Sequence, residues 1–252
     1  MASRRALKAA TAVLTGAMTV SALAGCSADV GALQHRTNSY SVAGQLRVLV
    51  VNAHIGGVQV TGGDFSRVRV TERISFRRTV PATTHRTAAG TLTLDSNCPA
   101  LETCSVSYHI TVSRTMTVRV SDNVGAIRLE FLSGQVTAHT NVGNINLASV
   151  SGQVEATGHA GSILGRNVSS RRATLRSSAG GIDVTFSVAP AAVIASTDIG
   201  SVALRVPGNV SYDLNTSVTV GSARVGVTRS PASPHAIRAS VRTGSITIEP
   251  AP

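Results

Sequence analysis

Glycine recurs every nine residues through the middle of the chain, at Gly125, Gly134, Gly143, Gly152 and Gly161. Four of these open one complete phrase, in which glycine is followed by an apolar residue at the second and the fourth place after it. The phrases are Gly125-Ala-Ile-Arg-Leu129, Gly134-Gln-Val-Thr-Ala138, Gly143-Asn-Ile-Asn-Leu147 and Gly152-Gln-Val-Glu-Ala156, and Gly161-Ser-Ile163 begins a fifth. A unit this short cannot bury its own apolar face, so a fixed period means units that stack and share one core. The phrase returns as Gly180-Gly-Ile-Asp-Val184, Gly200-Ser-Val-Ala-Leu204, Gly221-Ser-Ala-Arg-Val225 and Gly244-Ser-Ile-Thr-Ile248. Weaker partners lie midway, at Ala173-Thr-Leu175, Ala192-Val-Ile194, Val210 to Leu214 and Ala236 to Ala239. The repeat is therefore a coil of about 18–20 residues made of two half-turns.

Alternation at period two marks strands. A sandwich of antiparallel strands also shows short strands at this spacing. Its tight hairpins favour Asn-Gly or Asp-Gly, however, and neither dipeptide occurs in the chain. Every phrase also runs in the same sense. The expectation is an all-β chain forming a parallel β-solenoid over residues 121–250. Gly143, Ile145 and Leu147 then face inward and stack on Gly125, Ile127, Leu129 and on Gly161, Ile163, while Asn144 and Asn146 face out. Ile-Leu half-turns facing Val-Ala half-turns fill a thin coil without overpacking.

The N-terminus has a different character. Arg4, Arg5 and Lys8 precede an uncharged stretch from Ala9 to Ala24, and Leu23-Ala24-Gly25-Cys26 follows. A basic head, a short apolar run and small residues describe a secretory signal peptide over residues 1–25. The last four residues resemble the lipobox of bacterial lipoproteins. That resemblance implies cleavage before Cys26 and a diacylglyceryl group on its sulfur, with further acylation of the new amine. Two or three acyl chains hold a protein stably to a membrane. Residues 26–45 have no sustained apolar period and are expected to act as a tether.

Removing the leader takes away three cations and lowers the net charge from +11 to about +8. Every remaining cation is arginine, since Lys8 is the only lysine. Such a surface attracts anionic lipid heads or polymers, while export argues against nucleic acid as a partner. With Cys26 lipidated, Cys98 and Cys104 remain, and an even pair in an exported chain reads as a disulfide. Residues 46–120 carry alternating strands, interrupted by a polar loop from Pro81 to Gly90. Together with the cysteine clip they form an N-terminal β region, and residues 77–120 leave open a separate cap.

The Asn52 to Val60 phrase with its Gly-x-Val-x-Val, and the Ser-Gly-x-Val and Val-Gly-x-Ile units at Ser133, Val142 and Ser151, resemble the bacterial putative-adhesin family. The resemblance spans roughly residues 46–250. It implies a parallel β-solenoid at the cell envelope and carries over no catalytic residue.

Candidates for chemistry are few. Asp183, Asp198 and Asp213 are fifteen apart, out of step with the coil, so they are not expected to stack into an acid cluster of the kind glycosidases need. Glu130 and Glu155 fall on different half-turns. The seven histidines, His35, His54, His85, His109, His139, His159 and His235, include no helical zinc spacing, and no Gly-x-Ser-x-Gly elbow is present. No catalytic, cofactor-binding or metal-binding residue is assigned. Three functions stay open. One is a lipid-anchored binding, adhesin-like or structural protein on the extracytoplasmic face of the membrane, touching anionic envelope polymers or another envelope protein. Another is an envelope sensor or regulator engaging a membrane partner. The last is a polysaccharide-active enzyme.

Overall fold

The computed structural model describes residues 32–99 and 103–252. The leader expected at 1–25 and the lipid site expected at Cys26 lie outside them. Among the described residues there are eighteen strands and no helix, in one largely parallel sheet that does not close on itself.

The repeat region holds β8 (Thr117–Val124), β9 (Ile127–Glu130), β10 (Val136–Val142), β11 (Ile145–Ala148), β12 (Val154–Ala160), β13 (Ile163–Val168), β14 (Arg172–Ala179), β15 (Ile182–Phe186) and β16 (Ala192–Val206). Strands β8 to β14 each pair in parallel with the strand two places on, and β15 pairs in parallel with β16. One stack runs β8, β10, β12, β14 and the first half of β16. The other runs β9, β11, β13, β15 and the second half of β16. Ile145 faces Ile127 on one side and Ile163 on the other, and the next coils continue with Ile182 and Val202. All five are essentially inaccessible to solvent. The inward positions read from the phrase and the parallel pairing are those the structure has.

Two sequence-based boundaries are corrected. The regular stack does not begin near residue 121. Residues 48–63 form β2 (Val48–Ile55) and β3 (Val58–Gly63), parallel to β8 and β9 and in the same register. The reason is that Leu49, Val51, Gly56, Val58 and Val60 spell the same coil. On the other side of this coil lie β6 (Thr91–Asn97) and β7 (Cys104–Ser113). The tether is shorter than expected, because β1 (Gln34–Val42) pairs antiparallel with β4 (Val68–Phe76). Buried Glu72 holds β1 down, accepting hydrogen bonds from Tyr40 Oη at 2.9 Å and Asn38 Nδ2 at 3.2 Å.

The polar loop at 81–90 is also a strand, β5 (Ala82–Ala88), antiparallel to β6. Its turn is Ala89-Gly90, with φ of 47° and 75°. Two successive positive φ angles suit the twist of a hairpin, so a turn of this hand forms without Asn-Gly. Strand β4 pairs antiparallel with β7, and the Tyr40 ring stacks on His85 at 4.6 Å. The N-terminal end of the stack is therefore covered by β1 and β5. Cys98 and Cys104 are bonded to each other, as expected of the remaining even pair.

At the other end the chain leaves its own order. Strand β17 (Asp213–Val225) forms the outermost coil, and β18 (Ala236–Pro250) inserts between β16 and β17.

A candidate binding ridge along one corner

The residue before each glycine of the main series is apolar in seven of eight coils: Ile55, Val124, Val142, Ala160, Ala179, Ile199 and Val220, with Thr243 the exception. The strand registers place these residues in one line. Ile55 faces Val124, which faces Val142, then Ala160, Ala179, Ile199, Thr243 and Val220 in turn. Eight positions at the spacing of neighbouring strands span about 34 Å. Simple alternation assigns Val142 to the interior, since it shares parity with buried Val136, Ala138 and Thr140. The chain turns at Gly143, where φ is 143°, and swings Val142 outward. Val142 is 51% exposed, Ile199 62% and Val220 60%.

This ridge is pinned from beneath. The carbonyls of Val124, Val142, Ala160, Ala179 and Ile199 each accept the amide of the glycine in the preceding coil, for example Gly125 N–H to Val142 at 2.8 Å and Gly143 N–H to Ala160 at 2.9 Å. Inside the corner, buried hydroxyls donate to glycine carbonyls of the preceding coil. Thr140 reaches Gly125, Ser177 reaches Gly161 at 3.1 Å, and Thr197 reaches Gly180 at 2.9 Å. The glycines themselves stack so closely that a Cβ on Gly143 would overlap the Gly125 carbonyl. Hydrogen bonds on both sides of the turn leave the ridge little room to move.

Small uncharged polar residues border most of it. Asn144 Oδ1 accepts the Ser162 amide at 2.8 Å, Ser201 and Ser245 hydroxyls meet at 3.0 Å, and Asn141 Nδ2 donates to Asn123 Oδ1 at 2.6 Å. Near the C-terminal end the border carries an ion pair, Arg242 to Asp198 at 3.2 Å.

One rung of the inner ladder differs. Asp122 occupies the place of Thr140 one coil earlier, facing it in register. It is 1% exposed, and its carboxylate has no partner beyond the backbone amides of Asn123 and Val124. Burial raises its pKa from 3.8 to about 7, partly offset by the Val124 and Asn123 amides. Nothing in the repeat period marks Asp122 as buried. Its place two residues ahead of the corner, shared with Thr140, was the available signal.

The acids named from sequence do not gather. Asp183 stacks beside Leu164 and Ala203 on one face, Asp213 faces Ala236 on the other, and Asp198 pairs with Arg242 beside the ridge. Arg205 stands between two carboxylates, 2.6 Å from Asp183 and 3.1 Å from Glu249. A carboxyl pair held by a shared guanidinium is fixed as an ion-pair network. Among the described residues, no three His, Cys, Asp or Glu side chains are placed to hold a metal. His139 and His159 meet edge to face at 5.4 Å without a third ligand. A depression of about 420 Å³ is lined by Ser151, Gln153, Arg171 and Arg172 and brings no carboxylate. Arg128 and Arg224 point outward, as alternation places them. No described helix is long and apolar enough to cross a membrane.

No family model matches the chain, nor does any curated protein. Among solved structures, it is similar to one described as a putative adhesin from Bacteroides fragilis, with a TM-score of 0.50 and 16% identity, covering 85% of this chain and 97% of that one. A putative adhesin from Parabacteroides merdae gives a TM-score of 0.40 at 12% identity, covering 87% and 97%. A putative cell adhesion protein from Clostridium sporogenes gives 0.38 at 9%, covering 86% and 100%. Of these three, the Bacteroides protein is near enough to define a shared fold. That fold agrees with the family resemblance read from the strand phrases.

Proposed function

We propose that this chain is a lipid-anchored, extracytoplasmic β-solenoid that works by binding, in the manner of an adhesin, and not by catalysis. The observation that supports this best is the ridge, a line of eight register positions about 34 Å long, seven of them Val, Ile or Ala and most of them exposed. A row of exposed apolar residues with polar borders is the mark of an interaction surface. The similar solved proteins described as adhesins support the same reading. Outward arginines such as Arg128 and Arg224 add a weaker, screened attraction for anionic polymers or lipid heads of the envelope.

The test is photo-crosslinking from positions beside the ridge in the intact protein, in its own envelope. Val142→Asp combined with Ile199→Asp changes two exposed side chains and should leave the melting temperature within a few degrees of wild type. Crosslinked partners should disappear in that variant. Undiminished crosslinks in the folded variant would reject the ridge as the contact. Cys26→Ser tests the anchor separately, since it should release the chain from the membrane fraction with its crosslinking surface intact.

A further inference from the structure

Charge is spread unevenly along the stack. Residues 34–90 carry eight arginines against two acids, while residues 91–252 carry twelve against nine. The strand registers gather the first group at one end. Strands β1, β4 and β5 are the last strands there, and with the turns that flank them they hold seven of the eight. Arg47, the eighth, donates its backbone amide to Gly90, in the turn beside β5, at 2.8 Å.

The acids of this end are already engaged. Glu72 is buried and accepts three hydrogen bonds. Asp64 pairs with Arg114 at 2.9 Å, and Asp95, one strand inward, lies 3.7 Å from Arg86. Among the described residues no ion pair occupies Arg36, Arg67, Arg69, Arg73 or Arg78, and all five are exposed. The far end differs: β17 is uncharged from Leu214 to Ala223, and beside it Arg238 and Arg242 are paired with Asp213 and Asp198.

Apolar side chains stand among the free cations. Leu33 leads into β1, Phe65 lies in the turn before β4 and Val80 in the turn after it, all between 42% and 45% exposed. Phe65 borders a depression of about 350 Å³ lined by Arg67, Arg69, Ser41 and Ser66. Its one carboxylate is Asp64, which Arg114 neutralises. Two guanidinium groups beside hydroxyls match a phosphate group.

We propose that this end is the face the protein lays on its membrane. The arginines of β1, β4 and β5 sit among anionic lipid headgroups, the Arg67–Arg69 depression takes one headgroup phosphate, and Phe65 lodges where headgroups meet acyl chains. The anchor proposed at Cys26 supplies the reach. Eight residues separate Cys26 from Gln34, so a lipid on Cys26 keeps β1 within about 29 Å of the surface. An arginine near an anionic surface gains about fivefold in partition, and the gain fades within a Debye length, so the end held closest collects it. The stack then stands on this end, and the ridge, which runs from coil to coil, projects away from the membrane.

The test uses the chain from Ser27, which keeps every described strand and has no Cys26 to lipidate. Its outcome is therefore independent of the anchor, which Cys26→Ser judges by itself. Vesicles of phosphatidylglycerol and phosphatidylcholine should sediment the protein, and vesicles of phosphatidylcholine alone should not. Arg67→Gln with Arg69→Gln should weaken binding at least tenfold. Arg224→Gln with Arg229→Gln removes the same charge at the far end and should weaken it about twofold or less. The chain has no tryptophan, so Phe65→Trp gives a single reporter. Its emission should shift to the blue on the anionic vesicles, while Val220→Trp, at the far end, keeps its wavelength. Failure to bind the anionic vesicles, with or without capture of polyphosphate, would overturn the proposal. So would equal losses from the two arginine pairs, or an unshifted reporter at position 65.

Discussion

Asp122 offers a quantitative test of the corner architecture. Its equivalents Thr140, Ser177 and Thr197 each donate a hydroxyl to the glycine carbonyl one coil earlier. Asp122 can do the same toward the Gly56 carbonyl only when protonated, and burial holds its pKa near 7, against an ordinary 3.8. The folded chain then binds one more proton than the unfolded chain between about pH 4 and pH 7, so stability falls as pH rises through that window and levels off above it. A pKa moved that far corresponds to about 4 kcal/mol of preference for the protonated carboxyl. Asp122→Asn removes the titration, and Asp122→Thr adds a permanent rung. Denaturant unfolding from pH 4 to pH 8 should show the wild type losing up to about 4 kcal/mol relative to Asp122→Asn, with near-equality at the acid end. Asp122→Thr should be more stable than the wild type at pH 8. Wild-type and variant curves that run parallel across this range would refute the assignment of a buried carboxyl without an ion partner.

Three further outcomes follow from the packing. Gly143→Ala meets the Gly125 carbonyl at a positive φ and should cost more than about 2 kcal/mol, whereas Gly158, whose added Cβ meets nothing nearer than 3.9 Å, should accept serine with a gain of about 1 kcal/mol in chemical denaturation. Ile145→Ala should lower stability by about 2–5 kcal/mol and Asn144→Ala, which loses one exposed bond to Ser162, by about 1 kcal/mol or less. Reduction of Cys98–Cys104 opens a small ring and should cost about 2 kcal/mol, read as a lower melting temperature in reductant with the far-ultraviolet spectrum unchanged.

Ile145 and Leu147 were legible because two periodicities agree at them, the alternation of a strand and the spacing of the coil. Val142 was not, since alternation alone puts it inside, and only the turn at Gly143 reverses it. Strand β1 escaped notice because its polar alternation, Asn38 and Tyr40 included, draws meaning from Glu72, thirty-two residues beyond Tyr40. The crossing at the C-terminal end was invisible for the opposite reason. Gly200-Ser-Val, Gly221-Ser-Ala and Gly244-Ser-Ile are nearly interchangeable, so the phrase fixes what a coil looks like and leaves open which coil it sits beside. The candidate ridge could have been read from the apolar residue ahead of each glycine, a dipeptide pattern hidden behind the stronger phrase that follows it.

The insertion of β18 between β16 and β17 has a consequence for how the molecule is made. Under the export proposed above, a chain threaded through a membrane from its N-terminus can add coils one at a time as far as β16. The next segment to emerge, β17, has no place to dock, because its sole strand partner among the described residues is the last strand of the chain. Two coils must therefore settle together, after the final residues are across. Loss of β18 alone would strip both from the stack, leaving β16 as a raw edge. A protein truncated late in its sequence is thus marked by a larger defect than the missing residues would suggest, one that exposes two coils' worth of backbone to proteolysis.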